Sequence, residues 1–254
     1  MYILIFIFGA IIGSFLNVCI YRIPREESIV YPSSHCPKCN TPLKWYNLIP
    51  ILSFLLQKGK CRYCGELISP QYPIVELLNG ILYTIIFYLY GASVDFVFYS
   101  SIMSILIIIS FIDYYYQIIP DALVAVTLVL AIVYKFTLLI LYKMPFNSLD
   151  SLLALLLGGA LFLIIAIASK GGMGGGDIKL ISALAFILGV KKTILNILLS
   201  FIIGAVFSIF LLLLKKKGKK DTIPFGPFIN IAFVTTLLLG DKIIEWYISY
   251  FFWG

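Results

Sequence analysis

The chain has 254 residues, 61% of them hydrophobic and only 12% charged. Soluble domains carry roughly 25% charge, so this is the composition of an all-α polytopic membrane protein. A net charge of +7 does not point to nucleic acid here, because most of the Lys and Arg lie beside hydrophobic segments, as the positive-inside rule requires.

The opening stretch, MYILIFIFGAIIGSFLNVCI, lacks the basic n-region and cleavage site of a signal peptide and reads as a retained first span over residues 2–20. Gly9, Gly13 and Asn17 recur in it at i, i+4 and i+8, a small and polar face suited to close helix packing in a bilayer. Cys19, in apolar company, reads as a small buried hydrophobe. Residues 22–73 form the sizeable polar segment, and Arg22, Arg25, Lys38, Lys44, Lys58, Lys60 and Arg62 place it on the cytoplasmic side. Pro73 opens a second span to about residue 90. Asp95 marks an external turn without cations, and a third span over 96–112 returns the chain to the cytoplasm at Asp113.

A fourth span covers 121–142, with Asp121 as its N-cap, and an external loop follows over 143–149. Lys135, inside that span, is expected to snorkel or to face the bundle. The fifth span, 149–168, ends at Lys170 and the glycine run. The sixth, 178–190, is short against the roughly 20 helical residues a bilayer needs. Lys191 and Lys192 end it externally, a mild breach of the charge rule. The seventh, 193–214, runs into KKKGKK, the strongest cytoplasmic marker, and the eighth, 225–239, leaves a tail from Asp241 outside. The expectation is about eight transmembrane helices with both termini external. They divide into a first helix (1–21), a cytoplasmic metal-binding loop (22–73), a helical core (74–240) and an external tail (241–254).

Four of the five cysteines form CPKC, Cys36 to Cys39, and CRYC, Cys61 to Cys64. A secreted disulfide framework is a poor fit for a basic cytoplasmic loop. Two tight turns that each present two thiolates close a tetrahedral four-sulfur site, the arrangement preferred by structural zinc. Iron is the second choice and two unlinked redox pairs the third. Four thiolates leave no open position, so no catalysis is expected at the metal. His35 reads as a surface residue as readily as a ligand.

The stretch SKGGMGGGDIKL brings Asp177 to the mouth of a membrane helix, where a carboxylate is costly unless it is used. Asp113 lies at a second such mouth. Two carboxylates that share a site share a proton. The ionised one can take a proton from water while the other donates to a scissile carbonyl, which is aspartyl protease chemistry. The bland reading is helix capping, or ion pairs with Lys170 or Lys179. Glu76, Asn79, Gly80 and Tyr83 fall at i, i+3, i+4 and i+7 of the second span. That polar face suits either a small-molecule contact or interhelical hydrogen bonds. No HExxH, P-loop or GxSxG occurs, and one His leaves little room for a His-based triad.

Nearly the whole chain resembles the bacterial prepilin peptidases, membrane aspartyl proteases of the GxGD class. The resemblance rests on GSFLNVCIYRIP, the two CxxC pairs with WYNLIPILS between them, and KGKCRYCGELISPQYPIVELLNG. It continues through FIDYYYQIIPD, GMGGGDIKL and IPFGPFINIA. It implies that Asp113 and Asp177 are the catalytic pair and that Gly174 and Gly176 are the motif glycines. It implies cleavage of type IV prepilins or pseudopilins after a glycine ending a short basic leader, at the cytoplasmic face of the bacterial inner membrane. N-methylation of the new terminus with S-adenosylmethionine follows, with Glu76 and Gly80 as candidates for that step. A basic leader points to recognition by carboxylates, Glu26 or Glu27, or by anionic lipid. The competing readings are a peptidase that only cleaves, a transporter using Asp113 and Asp177, and a zinc-linked scaffold. Transport carboxylates usually lie near the midplane, whereas these lie at one edge.

Overall fold

The computed structural model describes residues 1–143, 147–170, 172–214 and 223–252. The KKKGKK marker at 215–220 and Gly171 of the glycine run lie outside them. The named elements among the described residues are all helices, without a named strand, and the chain forms two compact units, Met1–Ile112 and Asp113–Gly254.

The first unit is built on α1 (Tyr2–Arg22), which packs along α3 (Gln71–Tyr90). The small face expected on α1 makes this contact. A Cβ on Gly9 would stand 2.9 Å from Gly80 Cα, and one on Gly13 would stand 2.7 Å from Glu76 Cα. Polar groups of the same faces close the seam. Asn79 Nδ2 donates to the Gly9 carbonyl at 2.7 Å and Asn17 Nδ2 to the Tyr72 carbonyl at 3.1 Å. On α4 (Val94–Tyr116), Ser104 Oγ donates to Asn79 Oδ1 at 3.0 Å, which leaves the Tyr83 hydroxyl to donate to Ser104. Asn79, Gly80 and Tyr83 are thus interhelical contacts. The helix after the polar loop starts at Gln71 rather than at Pro73, which falls in its first turn. Between α1 and α3 lie the cysteine loop and the short α2 (Leu52–Leu56).

The second unit collects α5 (Asp121–Tyr142), α6 (Ser148–Ala168), α7 (Gly175–Leu188), α8 (Val190–Leu213) and α9 (Gly226–Phe252). The short α7 is its hub, packed against α5, α6, α8 and α9. Its Leu180, Ile181, Leu184 and Ala185 are wholly buried. Gly158 and Gly159 on α6 admit this helix: a Cβ on Gly158 would meet Ala185 Cβ at 3.2 Å. Lys135 faces the bundle, donating to Ser151 Oγ at 2.8 Å.

Seven of the described helices are long and apolar enough to cross a membrane. The expected span that is not among them is the sixth, which corresponds to α7, whose 14 residues fall below that length. The segment expected as a tail from Asp241 is instead the continuation of α9 to Phe252. Asp241 there pairs with Lys192 of α8 at 2.8 Å, so the charges that end the apolar pattern are accommodated within a helix.

Candidate active site and metal centre

Asp113 occupies the last turn of α4 and is buried. Its Oδ2 accepts a hydrogen bond from the Gly226 amide at 2.9 Å. Gly226 opens α9, so that amide is one of the donors that a helix start leaves free. Asp177 sits in the first turn of α7 and is buried as well. Its own amide turns back to the Gly174 carbonyl at 3.2 Å, and its Oδ1 has no partner. Each carboxylate therefore lies at a helix N-terminus, where the peptide dipoles favour negative charge. The two are close enough for the charge of Asp113 to act on Asp177.

Ile119, in the turn between α4 and α5, spaces these elements. A Cβ on Gly176 would stand 2.8 Å from Ile119 Cβ. A Cβ on Gly226 would stand 2.8 Å from Asp113 Oδ2 and 3.2 Å from Ile119 Cδ1. Gly176 and Gly226 thus clasp one side chain, and neither has room for a larger residue. Gly174 is less confined: a Cβ there would stand 3.4 Å from its nearest neighbour, Asp177 Oδ2. Phe225 anchors the α9 start, its ring lying 5.3 Å from Phe201, 6.0 Å from Phe228 and 6.1 Å from Phe162.

Asp121 does not cap α5 as expected. The cap position is Pro120, and both Asp121 oxygens accept from Lys179 Nζ at 2.8 Å. Lys179 is thereby engaged by Asp121. Sequence patterning singles out neither Ile119 nor Gly226, although a Gly-Pro pair at a helix start is a signal that marks the latter.

In the first unit, the two CxxC turns are copies of one another. Cys36 N donates to the Thr41 carbonyl and Cys61 N to the Glu66 carbonyl, while Asn40 N and Gly65 N donate back to Cys36 and Cys61. Asn40 and Gly65, at matching places, both take positive φ, 53° and 75°. The four sulfurs lie within 4.8 Å of one another. Cys36 Sγ and Cys64 Sγ, from different turns, are 3.8 Å apart. A tetrahedron with metal–sulfur bonds of about 2.3 Å has edges of about 3.8 Å, so the donor set fits a four-sulfur metal site. That pairing across turns disfavours two separate redox pairs. Hydrogen bonds from Thr41 hold the Cys39 thiol down to about 6, toward the thiolate that a metal needs. Lys38 of the first turn pairs with Glu66 of the second. His35 is exposed, its Nδ1 beside the Ser33 carbonyl at 3.0 Å.

Glu76 is buried and accepts from the Ile51 amide at 2.7 Å. Gly80 is covered by Phe6, whose ring lies 2.8 Å from where a Cβ would stand. Glu26 and Glu27 are exposed.

Residues 7–90 match the bacterial peptidase A24 N-terminal domain, and residues 100–209 match the type IV leader peptidase family. The chain is 38% identical to a prepilin leader peptidase/N-methyltransferase of Bacillus subtilis (strain 168), over 97% of each chain. It is 33% identical to a protein of that name from Aeromonas salmonicida (strain A449), over 97% of this chain and 93% of the other. The protein of that name from Legionella pneumophila is 32% identical, over 98% and 95%. No solved structure matches.

Proposed function

From the premise that the chain belongs to the type IV leader peptidase family, we infer that it is a prepilin leader peptidase and N-methyltransferase. It cleaves the leader of type IV prepilins or pseudopilins and methylates the amine that cleavage exposes, with S-adenosylmethionine as donor. Asp113 and Asp177 are the catalytic pair in this reading. What carries it is two buried aspartates at two helix N-termini, one held by the Gly226 amide and the other with a free oxygen. One carboxylate takes a proton from water, whose oxygen attacks the scissile carbonyl, while the other protonates the carbonyl oxygen. Collapse of the tetrahedral intermediate breaks the C–N bond, and the amine leaves with a proton returned from the pair. A transporter reading is not favoured, since it leaves the family match and the cysteine loop without a purpose.

The four cysteines hold a structural zinc ion that ties the two turns together. Glu76 serves methylation through its carboxylate, and Gly80 through the close α1–α3 contact that fixes Glu76. Glu26 and Glu27, exposed beside α1, meet the basic leader. The protein sits in the bacterial cytoplasmic membrane with the loop and the aspartates at the cytoplasmic face and both termini external, as its Lys and Arg distribution supports. The test is mass spectrometry of a type IV prepilin incubated with the purified enzyme and S-adenosylmethionine. Loss of the leader plus one methyl group is the expected product. An intact prepilin would overturn the reading.

A further inference from the structure

The loop between α1 and α3 reads as a polar, water-borne segment, yet one part of it presents an apolar face. Trp45 is 78% exposed, Leu52 58%, Leu55 63% and Leu56 83%. Leu48 and Ile49 are exposed as well, and Leu52, Leu55 and Leu56 fall at i, i+3 and i+4 of α2, so those three share one face of it. The other side turns inward: the Phe54 ring closes on Gly59, and the Ile51 amide is bonded to Glu76.

That last bond sets a depth. Glu76 lies five residues inside α3, about 7.5 Å along the axis from Gln71, on a helix apolar and long enough to span the membrane. Gly13, which meets Glu76 Cα, lies nine residues before the end of α1 at Arg22, about 13 Å from it. Ile51 is therefore held beside the spanning part of the helix pair. Amphipathic segments rest at such a level, roughly 5–10 Å into the boundary of headgroups and acyl chains. Cations surround the segment: Lys44, Lys58, Lys60 and Arg62. Arg62 Cζ lies 5.5 Å and Lys44 Nζ 6.0 Å from the Tyr46 ring, a pairing of aromatic ring and positive charge suited to a membrane surface.

We propose that residues 45–56 form an interfacial segment embedded in the leaflet on the loop's own side. Leu52, Leu55 and Leu56 contact acyl chains, and the flanking cations meet anionic phosphates. Lipid is favoured over the leader of a prepilin because those cations would repel a basic peptide. The segment then fastens the metal loop to the bilayer at one level, through Glu76.

The full chain with Trp246 and Trp253 replaced by Phe keeps Trp45 as its one indole. In nanodiscs of phosphatidylcholine and phosphatidylglycerol, lipids brominated near the headgroup should quench Trp45 at least twofold more than lipids brominated near the chain end. Leu55→Glu with Leu56→Glu should abolish that difference. The unaltered chain provides a second readout that needs no substitution. A photoreactive phosphatidylcholine should label the tryptic peptide running from Trp45 to Lys58. Equal Trp45 emission in brominated and plain lipid, with that peptide unlabelled, would overturn the proposal. So would emission that responds only when a prepilin is added, which would make the face a protein dock.

Discussion

Asp113 and Asp177 are placed by backbone, not by partner side chains, and that makes each of them sensitive to a single atom. Asp113→Asn and Asp177→Asn should each abolish prepilin cleavage while leaving membrane insertion intact, as read by substrate processing and membrane fractionation. Asp121→Asn supplies the control. Its partner Lys179 is exposed, such pairs contribute about 0–1 kcal/mol, and cleavage should persist. Gly226→Ala would bring a methyl group to 2.8 Å from Asp113 Oδ2. Cleavage should fall by about 10²-fold, the scale of a lost catalytic hydrogen-bond donor, with unchanged expression. The two aspartates are legible in the sequence because a carboxylate at the edge of an apolar run has few bland explanations. The role of Gly226 is not, because a glycine before proline marks a helix start but does not say that its amide donates to a carboxylate 113 positions away.

At the scale of elements, pattern carries α1, α3 to α6 and α8, since each is a long, predominantly apolar run with few charges. It fails where helix and hydropathy part company. Asp241, Lys242 and Glu245 break the apolar run of α9, yet the backbone continues as helix to Phe252, with Asp241 paired to Lys192 of α8. The CxxC turns are legible from spacing alone, and their likeness to each other follows from the positive φ that Asn40 and Gly65 share. Cys36→Ser with Cys61→Ser should remove most bound metal, measured by elemental analysis of the purified protein. Gly13→Leu would force the α1–α3 seam apart. An overpacking cost of about 1–3 kcal/mol should appear as a lower unfolding temperature in detergent.

At the scale of the molecule, both aspartates and the glycines around them belong to the second unit, and the cysteine loop and Glu76 belong to the first. Glu76→Ala should therefore reduce methylation more than cleavage when both are read on one substrate by mass spectrometry, and equal loss would give Glu76 a purely structural role. Nothing in the sequence announces this division, because the boundary between Ile112 and Asp113 falls inside a continuous helix.

The brevity of α7 bears on how a substrate must arrive. Fourteen residues make a helix about 21 Å long, against a hydrocarbon core of about 30 Å. Set with its far end at one surface, α7 begins about 9 Å short of the other and Asp177, two residues on, lies about 12 Å from it, at the floor of a dip that water has to fill for hydrolysis. A peptide bond within an intact helix would reach that floor with its carbonyl already engaged by its own backbone. The substrate has to uncoil there first, and glycine, the residue that holds helix least well after proline, is the natural place for it to do so. Stiffening that position with a strong helix former should slow cutting without weakening the membrane partition of the prepilin.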